Sequence, residues 1–128
     1  MWKTKNFYII LSLYTILSVT SCNSNKISWI ETDRWKKDYK GCVTYRSSLI
    51  PILTERKNEL LGKTDAFFFR AMGKANRVSY SDRGKKIFYY YLTPGSQCEN
   101  MTGKTNCLTI EFEALGTSRL VYLEEVQL

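Results

Sequence analysis

The chain reads as an α+β domain in two layers, with two N-terminal helices packed on an antiparallel meander of three or four strands. Three observations predict this. Apolar residues recur at helical spacings through residues 33–61. Apolar and polar residues then alternate through 108–114, the period of a half-buried strand. Aromatic residues make up 14% of the chain, which suits a core containing a sheet.

The first helix is expected over 33–61. Trp35, Tyr39, Cys42, Arg46, Leu49, Leu53 and Leu60 follow one another at intervals of three, four or their sum, and so draw one stripe along a helix. Pro51 interrupts it by removing a backbone donor and crowding the preceding turn, which predicts a kink or break near 48–51. Arg46 falls inside the apolar stripe, so it must either snorkel outward or pair, with Asp38 and Glu111 as candidate partners. Gly62 ends this helix, Thr64 caps the next, Asp65 favours its first turn and Gly73 stops it. The second helix, 65–72, carries Phe67, Phe68 and Phe69, which spread around much of its circumference and wedge it between other elements.

Strands follow at 77–81 and 85–92, joined by a Ser81-Asp82-Arg83-Gly84 turn. In 108–114, Leu108, Ile110, Phe112 and Ala114 form a buried face and Thr109, Glu111 and Glu113 a wet one. A Gly116-Thr117-Ser118 turn leads to the last strand, 119–126. Short links between neighbouring strands make an antiparallel meander. The strand at 85–92 is aromatic on both faces. Phe88 and Tyr90 are expected inside, and Tyr89 and Tyr91 outside as part of a contact patch, since tyrosine is favoured at interfaces. The competing arrangement folds a loop or the N-terminal segment over these two tyrosines.

The N-terminus has the pattern of a bacterial lipoprotein leader. Lys3 and Lys5 form a positive region, 7–17 an apolar run too short to span a bilayer, and Val19-Thr20-Ser21-Cys22 a cleavage box ending in the cysteine that is lipidated. An ordinary secretory signal cut near Ser21 would instead leave Cys22 a spare thiol. On the lipoprotein reading, residues 1–21 are removed, 22–32 form a lipidated cysteine and a short tether, and 33–128 form the single domain. The polar stretch 23–28 reaches only about 20 Å when extended, which keeps the domain near the membrane. Asn23, not an acid, follows Cys22. By resemblance to known sorting patterns, that favours the outer membrane and its periplasm-facing leaflet.

An envelope location is one where disulfides persist. Cys98 and Cys107 bracket a polar segment, and a bridge between them would close a loop of about ten residues, worth roughly 2.5 kcal/mol. Cys42 then remains a buried, unreactive thiol. The cysteine spacing and the absence of histidine disfavour zinc. Removing Lys3 and Lys5 with the leader lowers the formal charge from +7 to +5. A basic domain near anionic headgroups gains about 1 kcal/mol per nearby cation. No nucleic-acid motif is present.

The run Leu60-Leu61-Gly62-Lys63-Thr64-Asp65, then Phe68, Met72-Gly73-Lys74-Ala75-Asn76 and Phe88-Tyr89-Tyr90-Tyr91, resembles the SmpA/OmlA (BamE-like) lipoproteins. That family combines a Gly-x-Ser/Thr helix start, a Leu-Gly-x-Pro helix end, an aromatic strand and a lipidated N-terminal cysteine. The helix-pair-on-sheet plan is similar to β-lactamase-inhibitor-like domains. Here Ala75 stands at the proline, Tyr89 at a common tryptophan, and the segment 98–107 is extra. The resemblance implies a binding or scaffolding lipoprotein whose partner is the machinery that inserts outer-membrane barrels, or the cell-wall layer. With no histidine, the commonest general base is missing, so catalysis, metal and cofactor are not expected. The alternative is an inhibitor of an extracytoplasmic hydrolase acting through the sheet face.

Overall fold

The computed structural model describes residues 25–128. The expected leader, 1–21, and the expected lipidation residue Cys22 lie outside the described residues. Among the described residues, four short helices and a 3₁₀ turn precede the sheet: α1 (Thr32–Lys37), α2 (Tyr45–Ser48), α3 (Ile50–Arg56), the 3₁₀ turn (Lys57–Leu60) and α4 (Asp65–Met72). Then follow β1 (Arg77–Tyr80), β2 (Lys86–Tyr91), β3 (Thr105–Phe112) and β4 (Ser118–Val126), in one antiparallel sheet ordered β1-β2-β3-β4. The fold is α+β with a four-stranded meander.

The single long helix expected over 33–61 is not formed. Gly41 and Thr44 adopt left-handed backbone conformations, with φ of 71° at each. The buried Asp38 carboxylate accepts hydrogen bonds from the backbone N–H of Val43 and of Arg46, both 2.8 Å. A short acidic side chain thus takes donors that a continuous helix would have satisfied with its own carbonyls. Pro51 does not kink a helix. It sits in the first turn of α3, where its missing N–H is not needed. Thr64 caps α4 through its hydroxyl, which accepts from the Phe67 N–H at 3.1 Å, and Gly73 ends it with φ of 79°.

The expected tether belongs in part to the domain. Ile27 and Ile30 are buried in the core beside Trp35, Leu60, Phe68 and Met72. The Asn25 Oδ1 accepts a hydrogen bond from Arg70 on α4. The domain therefore begins well before residue 33.

One core fills the space between helices and sheet. Phe68 of α4 meets Phe112 of β3 edge to face at 5.7 Å, and Phe112 meets Phe88 of β2 at 4.8 Å. Such pairs add about 0.5–1.5 kcal/mol each beyond the area they bury. The start of β4 is stitched to the 3₁₀ turn by Ser118, whose hydroxyl donates to the Leu60 carbonyl at 2.6 Å and accepts from the Lys63 N–H at 3.0 Å.

Arg46 neither snorkels nor pairs directly with a carboxylate. It is fully buried, stacked over the Trp35 ring at 4.3 Å. Its Nε donates to the Trp35 carbonyl at 3.1 Å, and its Nη1 to Asn76 Oδ1 at 2.9 Å and the Tyr91 carbonyl at 3.2 Å. Asn76 Oδ1 also accepts from the Tyr91 N–H, and its Nδ2 donates to the Tyr39 carbonyl. One guanidinium and one amide therefore tie α1, α2, the start of β1 and β2 together.

The expected Cys98–Cys107 bridge is wrong. The disulfide joins Cys42 to Cys98, with Cα atoms 5.9 Å apart, and Cys107 is a buried free thiol. Cys107 lies inside β3, paired with Tyr91 of β2 and Glu124 of β4, so the sheet holds it away from the 93–104 loop. Gly41 brings Cys42 to that loop. A Cβ at Gly41 would meet the Tyr91 carbonyl oxygen at 2.8 Å, closer than any side chain allows. Cys42 is thus neither helical nor a free thiol. Ala114 and the wet face of β3 also differ from expectation. β3 ends at Phe112 and Ala114 is exposed in the following turn, whereas Thr109 is fully buried.

Candidate functional site

Strand pleating sends alternate side chains to opposite faces. Phe88, Tyr90, Leu108, Ile110 and Phe112 face the helices. Tyr90 is fully buried, its hydroxyl donating to the Gly73 carbonyl at 3.0 Å, and Phe88 is half-buried against the core. Tyr89 and Tyr91 consequently project from the other face, and both are half-buried there.

Register builds that face into rows. Arg77, Tyr89, Thr109 and Tyr122 lie side by side across all four strands, and Tyr91, Cys107 and Glu124 form the next row. The Arg77 guanidinium rests 4.8 Å over the Tyr89 ring, and Ser79 and Tyr89 share a 3.3 Å hydroxyl contact. The Tyr122 hydroxyl donates to Glu111 at 2.9 Å, and Thr109 donates to Glu124 at 2.7 Å. Burial raises the pKa of the Tyr91 and Tyr122 hydroxyls, and for Tyr122 the Glu111 bond adds to the effect. Both phenols are therefore neutral hydrogen-bonding groups at physiological pH. Thr109 and Cys107 are fully buried on a face against which no described helix packs. Farther along, Arg83, Lys85, Ile87, Glu111 and Arg119 line an open groove of about 330 Å³.

Burial, with the nearby Glu124 charge, pushes the Cys107 thiol up to about 12, so it stays protonated and a poor nucleophile. Glu111 is held by Tyr122 and by Arg119 at 3.6 Å, and Glu124 by Thr109. Among the described residues, no three His, Cys, Asp or Glu side chains gather closely enough to hold a metal ion. No described helix is long and apolar enough to cross a membrane.

The sequence located Tyr89 and Tyr91 but not their neighbours. Tyr122, Glu124 and Leu120 alternate along β4, and that period was the available signal for placing them on the same face. Arg77 is found only through register. Of the N-terminal segment, the described residues Ile27 and Ile30 pack into the core on the helical side. No family model, curated protein or solved structure matches the chain.

Proposed function

We propose that this chain is a non-enzymatic lipoprotein of the bacterial envelope, anchored through Cys22 in the outer membrane and facing the periplasm. In this reading it holds another envelope protein against the open face of its sheet. The observation that carries the proposal is the row of Tyr89, Thr109 and Tyr122 with Tyr91 beside it, an aromatic sheet face on which no described helix packs. Half-buried tyrosines offer a large apolar area with a polar tip and lose little conformational freedom on docking, the chemistry enriched at protein interfaces. The lipoprotein box supports the anchor. The resemblance to SmpA/OmlA (BamE-like) proteins supports a partner in the barrel-assembly machinery or the cell-wall layer.

Crosslinking in cells tests this. The native chain captures a defined envelope protein, and replacing Tyr89 and Tyr91 together with serine lowers capture at least about tenfold, the equivalent of 1.4 kcal/mol of binding. The circular dichroism spectrum is expected to stay unchanged, because Phe88 and Tyr90 keep the core. Undiminished capture by the double variant would remove this face from the proposal. Absence of fatty-acid label at Cys22 would remove the anchor.

A further inference from the structure

α4 exposes a crown whose position relative to the chain's entry point is fixed by geometry. Phe68, Ala71 and Met72 are buried, leaving Ala66 and Arg70 outermost, with Phe69 on one flank and Phe67 on the other. Phe69 is 62% exposed. On the Phe67 flank, Lys63 lies over the ring at 5.4 Å, and Lys26 shares a shallow depression with Lys63 and Phe67. The neighbouring acids are occupied, Asp65 by Lys86 at 2.7 Å and Glu59 by Arg56 and Trp29. Lys26, Lys63 and Arg70 thus form a cationic rim around two aromatic rings.

The chain enters the domain on this same crown. Asn25 is hydrogen-bonded to Arg70, and Cys22 stands three residues before Asn25. Three residues of extended chain span at most about 11 Å. An acylated Cys22 sits at the level of the lipid headgroups, so the Asn25 backbone must lie within roughly that distance of them, with Arg70 one side-chain hydrogen bond farther. The α4 crown is the part of the molecule that such a short connection draws down. Exposed aromatics ringed by lysine and arginine are the chemistry of an interfacial membrane contact.

We infer that the α4 crown (Phe67, Phe69 and Arg70, with Lys63 and Lys26) docks on the headgroup layer of the membrane that holds Cys22. The inference rests on the lipid-anchor reading and deepens it. It also orients the molecule: with the helical layer on the bilayer, the Tyr89–Tyr91 face points away from it, toward the aqueous space.

The test uses the full-length chain purified from cell envelopes, with acylation at Cys22 first established by mass. It is placed in vesicles of phosphatidylethanolamine containing about one quarter phosphatidylglycerol, so that the surface is anionic. F69W reports on the crown. M101W reports on the 93–104 loop, at the opposite end of β3 from the Phe112 that α4 contacts. After subtraction of the native tryptophan signal, acyl-brominated lipid is expected to quench F69W at least about twofold and M101W not at all, because the interfacial depth reached is only about 5–10 Å. In the native chain, amine labelling of Lys26 and Lys63, but not Lys104, is expected to slow on the same vesicles. An acylated chain whose crown is neither quenched nor protected overturns the docking and leaves the anchor standing. Equal quenching of both reporters overturns it as well, by showing no preferred face. A chain without acyl groups at Cys22 overturns both.

Discussion

Replacing Arg46 with methionine keeps most of the side-chain volume and removes a buried charge that makes three hydrogen bonds. Each bond from a charged donor is worth about 1.5–3 kcal/mol net. Against this stands the cost of burying the guanidinium, which lowers its pKa from 12.5 to about 10 even with Asp38 nearby, or about 3 kcal/mol. The Nη2 nitrogen finds no protein partner, so nothing further is gained there. The balance leaves Arg46 stabilising the fold by about 3 kcal/mol, and the variant also strands the Trp35 and Tyr91 carbonyls without that donor. For a domain of this size, such a loss lowers the melting temperature by roughly 15 °C. Urea titration followed by both circular dichroism and Trp35 fluorescence measures it, with an unchanged denaturant slope expected. R46K is expected to recover less than half, since an ammonium cannot both stack flat on Trp35 and donate in a fork. Buried ionic groups can sometimes be exchanged for apolar ones at no cost. A methionine variant as stable as the native chain would therefore refute the idea that this guanidinium holds α1, α2 and β2 together.

Two further outcomes are expected. C42S and C98S each lose about 4 kcal/mol on the chain-entropy model, because the bridge spans 56 positions. Non-reducing peptide maps recover the 42–98 pair with Cys107 alkylated only after denaturation, and recovery of a 98–107 pair sinks the assignment. The second outcome concerns pH. The folded state holds the Cys107 proton more tightly than the unfolded chain, with its pKa pushed from 9.0 to about 12, so this stability is complete below pH 9 and is lost as pH rises toward 12. Tyr90, raised from 10.0 by burial, adds its own loss only above pH 10. C107A is expected to flatten the decline between pH 9 and 10, and an unchanged slope would show that another group controls it.

The sheet was legible because its signals are local. Alternation in Leu108–Ile110–Phe112 and the turn at Ser81–Gly84 act within a few residues, and the Gly84 N–H indeed bonds the Ser81 carbonyl at 2.8 Å. Thr64 and Gly73 bounded α4 for the same reason. The helical layer was misread where non-local forces act. A stripe at spacings of three and four runs through Gly41 without registering that Asp38 can capture the backbone of Val43 and Arg46, five and eight residues away. Gly41 inside that stripe was the available clue, and so was its place next to Cys42. Burial of Thr109 could not be read from alternation, since it depends on the residues that β2 and β4 set beside it, Tyr89 and Tyr122. The two tyrosines were found by assigning strand faces, while Arg77 and Glu124 joined them only through register.

The arrangement of the three domain cysteines bears on how the 42–98 bridge forms during oxidation. In an unfolded chain, contact between positions 98 and 107 is favoured over contact between 42 and 98 by about 1.5 kcal/mol of loop-closure entropy, roughly tenfold. The quickest bridge to form is thus a non-native one, and it would hold Cys107 out of β3. Correct maturation requires either that β3 pair with its neighbours before oxidation or that an attacking thiolate reshuffle the early product. On the proposed envelope location, the yield of native protein depends on when oxidation occurs as well as on the sequence.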